Sequence, residues 1–378
     1  MGKEATLGRR ALNRALLARH LLLHRQKLPV PRAAERLVGL QAQEPPDPYV
    51  ALWSRLDGFR HEDLAKLITK RRVVRATLMR GTIHLVTARD CLAMWPVMRP
   101  FLERTFRGHP WGRNLDGLDI DEVLEAGRAL VEAKPMTNAE LGPLLQERWP
   151  DRDKTSLAAA VRYLLPMVQV PPRGIWGARG RATVTTAEHW LGRPLRTNAA
   201  PDRMIVRYLA AFGPATVPDL RTWSGLAGLR EVIERLRPRL RTFQDENGRE
   251  LFDVPDAPLP DPDTPAPPRF LPTFDNILLS HEDRGRIITE GDRRRLTAES
   301  SGGNFGTVLV DGFVRGRWRI TRVGGRATLD ITPLKRLTRR DHAAVTDEGA
   351  RLLAFVAGEE GDHDVRVAPA RVSGGASD

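Results

Sequence analysis

Two glutamines separated by one aliphatic residue, Gln41-Ala42-Gln43, stand directly before Glu44, Pro45, Pro46, Asp47 and Pro48. A primary amide is both acceptor and donor, so two of them converging at one place can hold a water between a carbonyl oxygen and an NH2 group. The apolar spacing from Pro31 predicts a helix to about Gln41, which the prolines force to end. On a regular helix, positions two apart diverge by about 200°, whereas at a forced end both amides can leave to one side. The plainer alternative is two solvated helix-end residues. Glu44 is the adjoining carboxylate, either tuning such a water or serving as a solvated or Arg-paired surface group. No lysine stands near the pair to form an imine with a sugar.

Three further groups invite weaker assignments. Arg80, Thr82 and His84 alternate along a predicted strand from Leu78 to Val86, where His84 between Ile83 and Leu85 reads either as a ligand-facing group or as a core-edge histidine. Asp275-Asn276 either contacts a ligand or folds back on its own amides as a turn, and the turn is favoured. Ser301-Gly302-Gly303-Asn304-Phe305 reads as a loop between strands whose tip either carries an exposed aromatic wedge or is an ordinary hairpin end.

The elements that must position these residues repeat. ALNRALLARHLLLH, the run after Pro31, YVALWSRL and HEDLAKLITKRR predict helices, and VVRATLMRGTIHLVT predicts two strands turning near Arg80-Gly81. Thr137-Asn-Ala-Glu-Leu141 and Thr216-Val-Pro-Asp-Leu220 share a Thr-x-x-acidic-Leu capping signature. Each precedes another helical run and a hairpin, the last turning at Asn247-Gly248. The outline is that of an α+β chain with three tandem winged-helix modules, at 1–130, 131–198 and 199–254. Eight prolines between 255 and 272 mark a linker, assigned to 255–269. From 270 to 378, short alternating strands and a helix over RRDHAAVTDEGARLLAFVA predict a small β-rich, barrel-like domain, with the tail after about Gly361 frayed.

Composition bounds the partner. In 378 residues, 60 Lys+Arg against 47 Asp+Glu leave a net charge of +13, which favours a polyanion. Only seven of the basic residues are Lys and 53 are Arg, a choice that suits phosphates and base edges, although a GC-rich genome also enriches Arg. Arg113, Arg179, Arg181, Arg193 and Arg196 are candidate phosphate contacts. The single cysteine, Cys91, excludes a disulfide framework and a cysteine-based zinc or iron-sulfur centre. No metal and no cofactor is expected. Without an apolar run for a signal peptide or a membrane span, the chain is expected in the cytoplasm, with the nucleoid and not with a membrane.

The stretches GLQAQEPPDPYVALWSRL, RATLMRGTIHLV, RFLPTFDNILLSHEDRGRI and VLVDGFVRGRW, spread over nearly the whole chain, resemble the bacterial winged-helix DNA glycosylases that remove bulky alkylated purines. Gln41 and Gln43 match the Gln-x-Gln branch, that of azinomycin-resistance crosslink glycosylases; a sister branch has an acidic residue at the second position. The resemblance implies a C-shaped, open channel around double-stranded DNA carrying bulky N7-alkylguanine, a monofunctional hydrolase with Gln41 and Gln43 catalytic, and self-resistance to a genotoxic product. It also implies a groove-probing hairpin in the C-terminal domain, for which Gly303, Asn304 and Phe305 are candidates, with Arg80 and His84 as further DNA-facing residues. A monomer is expected, since tandem modules already form a continuous surface. The alternatives are a non-catalytic winged-helix DNA-binding protein or transcriptional regulator, and a binder of the free toxin.

Overall fold

The same order of elements is laid down three times: a helix, a short extended stretch, two helices and a returning hairpin. In the computed structural model, which describes residues 5–298, 304–358 and 361–370, the first set is Val30–Arg36, Leu40–Gln41, Asp47–Trp53, His61–Thr69 and the strands Val73–Thr77 and Ile83–Thr87. The second runs Ile120–Ala133, Asn138–Gln146, Lys154–Leu164, Met167–Gln169 and Val184–Thr186, with Met136 bridging to Val184. The third runs Asp202–Phe212, Val217–Ser224, Leu229–Leu236, Arg241–Asp245 and Glu250–Asp253, with Ala215 bridging to Phe252. Both Thr-x-x-acidic signatures form reciprocal caps, Thr137 with Glu140 and Thr216 with Asp219. The Asn247-Gly248 turn joins its strands with Gly248 at φ +76°.

Strand pairing fuses the first two repeats. One five-stranded sheet has the order Leu40–Gln41, Ile83–Thr87, Val73–Thr77, Met167–Gln169, Val184–Thr186, with Arg75 opposite Gln169. A helix from Ala88 to Gly108 bridges the two repeats, capped by Thr87, whose hydroxyl accepts from the Asp90 amide. One face of the sheet rests on a core containing Leu37, Leu52, Leu64 and Leu85. The other shares the largest core with the third repeat and the C-terminal region, through Val86, Trp95, Phe212, Trp223, Ile287 and Leu309.

Four expectations are corrected. Leu40–Gln41 is a strand, because the sheet edge formed by Ile83–Thr87, forty residues away, captures the segment that local periodicity assigned to the helix end. The stretch from Leu78 is not continuous strand: Met79–Gly81 is a 3-10 turn with Arg80 at φ +57° and Gly81 at +69°, and extension resumes at Ile83. The C-terminal sheet is open rather than barrel-like, and none of the three sheets closes. Its order is Asp362–Val367, Arg326–Pro333, Phe313–Val323, Gly306–Val310, Arg269–Leu271. The segment expected to fray supplies its parallel edge strand, paired from Arg326/Asp362 to Ile331/Val367, while the helix Arg339–Ala357 packs on the sheet through Val345, Leu352 and Leu353. The prolines of 255–268 lie outside regular helix and strand, as their missing donors require.

Candidate active site

Gln41 is opposite His84 in the sheet, so their side chains stand on one face while Leu40 and Ala42 point into the core. Gln41 is buried, 7% exposed. Its Oε1 accepts from Arg80 Nη2 at 2.6 Å. The same nitrogen donates to Asn276 Oδ1 at 3.2 Å, and Arg80 Nη1 donates to the Trp223 carbonyl at 3.0 Å. Arg80 thus collects acceptors from the first repeat, the third repeat and the C-terminal region. Its left-handed backbone, uncommon outside glycine, turns the side chain inward from a tight turn.

Each partner is itself held. Asn276 Nδ2 donates to the Gly39 carbonyl at 3.2 Å. Before it, Asp275 caps Ile277 and forms a buried two-pronged pair with Arg55 at 2.8 and 2.9 Å. His84 is fully buried, and burial followed by the Arg80 charge pushes its imidazole down to about 3. It is neutral, with Nδ1–H donating to the Thr82 carbonyl at 3.1 Å. Burial, then Arg284, lowers the Arg80 guanidinium to about 10, so it keeps its charge at neutral pH.

Gln43 is exposed at the end of the edge strand. Its Oε1 accepts from the Ile83 amide at 3.5 Å. Both glutamines therefore face donors with their carbonyl oxygens, Gln41 a guanidinium and Gln43 a backbone N–H, and neither donor can be satisfied by an NH2 group. The NH2 groups have no partner among the described residues. Each NH2 group is thus free to donate, and each carbonyl oxygen keeps a second lone pair. Glu44 is half-buried and accepts from Asn304 Nδ2 at 3.0 Å. Asp47 is buried, its Oδ2 has no hydrogen-bond partner, and burial followed by Glu44 pushes its carboxyl up to about 7.

The structure thus brings Gln41, Arg80 and His84 together and places Asn304 beside Glu44. Phe305 is half-buried against the main core, 5.7 Å from the Arg317 guanidinium, and Gly303 lies outside the described residues. Asn276 was legible only as half of a turn, Asp47 only as part of the proline cluster. Arg75, 2% exposed within an apolar strand, had a signal in the charge that interrupts VVRATL.

A family model for AlkZ-like DNA glycosylases matches residues 34–355, which include Gln41, Gln43, Arg80, His84 and Asn276. The chain belongs to the AlkZ-like DNA glycosylase family. An interstrand DNA cross-link repair glycosylase of Streptomyces sahachiroi is 22% identical over 349 residues, covering 84% of this chain and 88% of that one. The solved structure of the S. sahachiroi DNA glycosylase AlkZ superposes with a TM-score of 0.77 at 21% identity, covering 96% of this chain and all of the other. The mixed α+β fold is shared. Membership makes this AlkZ-like chain a hydrolase of DNA N-glycosidic bonds. Among the described residues no helix is long and apolar enough to cross a membrane.

Proposed function

We propose that the chain is a monofunctional glycosylase that hydrolyses the N-glycosidic bond of bulky, cationic N7-alkylguanine in duplex DNA, interstrand crosslinks included, as self-resistance to an alkylating product. The observation that carries this reading is the fixed orientation of two neutral amides. Alkylation at N7 places a positive charge on the base, so breaking C1′–N9 returns the electron pair to the ring and releases a neutral leaving group. A general acid is unnecessary. The enzyme must position water and tolerate an electron-poor sugar. An NH2 group grips a sugar oxygen next to C1′, a water donating one O–H to the Glu44 carboxylate bonds C1′ through a free lone pair as C1′–N9 breaks, and its proton passes to Glu44 or solvent. Uncharged adducts, which need protonation, are poor substrates.

The three repeats act as winged-helix modules, with the boundaries inferred from the sequence, and line an open, C-shaped channel for the duplex. His84 serves inside, holding Arg80 and Gln41, rather than on DNA. In the C-terminal region the long hairpin Phe313–Val323/Arg326–Pro333 turns at Gly324-Gly325, both at positive φ, and Val323 at its tip is 78% exposed between Arg322 and Arg326. An exposed apolar tip flanked by cations suits a minor-groove probe, better than the half-buried Phe305.

The test is release of free adducted base from an N7-alkylguanine duplex, followed by chromatography, with the Gln41→Ala/Gln43→Ala double variant expected to bind DNA without releasing base. Undiminished release by that variant sinks the assignment of the two glutamines. Binding without release by the wild type would instead mark a non-catalytic DNA-binding protein.

A further inference from the structure

A cavity of about 390 Å³ lies elsewhere, beside Arg9, Arg284 and Arg293, but its walls carry Glu282, Asp283 and Glu290, and Arg293 pairs with Glu290. The cavity beside the catalytic motif is different. It has a volume of about 360 Å³, lies across the seam of the first and second repeats, and is lined by Gln43, Arg75, Arg162, Arg173, Gln169 and Asn138. Three guanidiniums therefore surround one space. Among the described residues the other fully buried arginines are matched by carboxylates, as Arg19 is by Asp253 and Arg55 by Asp275. Here none of the three forms an ion pair among the described residues. Arg75 donates through Nε to Gln169 Oε1 at 3.1 Å, and both its terminal nitrogens are buried without a hydrogen-bond partner. Arg173 donates to the Gly180 carbonyl at 3.2 Å, and its Nε has no partner either. Arg162 lies over the Tyr163 ring at 5.6 Å.

The walls favour an anion in other ways. Asn138 and Ala139 form the first turn of Asn138–Gln146, whose N-terminal end carries partial positive charge. The carboxylate of that turn, Glu140, is folded back on the Thr137 amide and paired with Arg181. Asp47 and Glu44 act on Arg75 only through space, without an ion pair. Gly174, at φ +93°, lets the loop after Met167–Gln169 lie on the Arg75 side chain, where an added Cβ would stand 2.7 Å from Cδ. Tyr49 ties that loop down, donating to the Gly174 carbonyl at 2.9 Å and accepting from the Trp176 amide at 3.1 Å. Keeping unpaired buried donors in a fixed place is costly unless a ligand satisfies them.

We infer that this cavity seats one backbone phosphate of the damaged strand, next to the nucleotide whose base is removed, with Arg162 and Arg173 as half-exposed arms over a floor set by Arg75. Gln43 lines the cavity, so the phosphate fixes the register of the adjoining sugar against the motif. The inference rests on the glycosylase reading and adds to it a subsite.

The test uses the full chain and a duplex with a tetrahydrofuran abasic-site analogue, whose binding does not depend on which adduct is the substrate. Neutral methylphosphonates replace each phosphate within three nucleotides of the analogue, for the wild type and an Arg162→Ala/Arg173→Ala variant. At one position the substitution should weaken wild-type binding roughly five- to tenfold, with no further loss in the variant. The salt dependence of the variant's affinity should be shallower by about one phosphate's worth of counterion release. Additive losses at every position, in a wild type that releases base, overturn the subsite and leave the glycosylase reading intact. Saturable binding of inorganic phosphate without methylphosphonate coupling assigns the cavity to a free anion and also overturns it. Failure of the wild type both to release base and to bind the duplex removes both readings.

Discussion

In the second and third repeats the residue after the strand bridge is a threonine that caps the middle helix, whereas in the first that position is Gln43 and the helix Asp47–Trp53 starts after Pro46. In the later repeats the residue before the cap exchanges two backbone hydrogen bonds with the returning strand. Met136 and Val184 do so at 3.2 and 2.9 Å, and Ala215 and Phe252 at 3.0 and 2.8 Å. Ala42 makes one such bond, its amide to the Ile83 carbonyl at 2.7 Å, while the Ile83 amide turns to the Gln43 side chain. Thr137 and Thr216 spend their hydroxyls on the helix amides. Pro45, Pro46 and Pro48 have no N–H to cap. The acids differ in parallel. Glu140 is held below the usual carboxylate range by the Thr137 amide, and at Asp219 the pull of His281, Arg286 and the Thr216 amide outweighs burial. Asp47 is pushed up to about 7. The candidate site occupies the one repeat in which this position is released from capping.

Gln43→Thr, which copies the later repeats, breaks or sharpens the comparison most directly. Base release should fall by about 100-fold or more, on the scale of losing one preorganised donor, with the unfolding midpoint nearly unchanged. Retained release would show that the position does no chemistry.

Arg80→Lys keeps the charge but removes the fork that orients Gln41. We expect a roughly tenfold lower single-turnover rate with little change in duplex affinity. An unaltered rate with a lower melting temperature would reduce Arg80 to a packing role.

Asp47→Asn tests the first repeat's acid. Its folded carboxyl titrates near 7 against an ordinary value near 4. The folded form therefore keeps a proton that the unfolded chain releases, and stability is lost as pH rises from about 4 to 7. The Asn variant should be more stable than the wild type at pH 8 by about 1–3 kcal/mol, with the gap closing near pH 4, as urea unfolding at both pH values will show.

Thr137→Ala should cost about 1 kcal/mol of stability, the usual value of a helix cap, and leave base release from a saturating duplex unaltered. A loss of chemistry without a loss of stability would give the Thr137 hydroxyl, which lines the cavity at the seam, a part in the chemistry itself.

Much of this was legible in local chemistry. The Thr-x-x-acidic caps, the Asn-Gly turn and the helix Arg339–Ala357 depend on neighbouring residues, and the sequence reading places them where the structure does. The chemistry of Gln41 and Gln43 was suggested by residue type. Their placement at one sheet edge was not, because it comes from pairing with Ile83–Thr87 and not from a helix end. Arg80 meets Asn276 across 196 residues of chain, a distance no periodicity reports. The open sheet was missed for the same reason, since its parallel edge strand depends on pairing with Arg326–Pro333.

The first helix, Arg9–Arg19, and the strand before it are tied to the third repeat and to the C-terminal region. Thr6 lies in parallel register with Gln244, Arg19 is paired with Asp253, Arg14 with Asp311, and Asn13 Nδ2 donates to the carbonyls of Arg286 and Gly312. A row of repeats linked only to its neighbours can unzip from either end. Here the segment Thr6–Arg19 is fastened to the third repeat and to the C-terminal region, which closes the row of repeats on itself. The molecule should melt in one step rather than repeat by repeat, and a proteolytic cut between repeats should leave its fragments bound together.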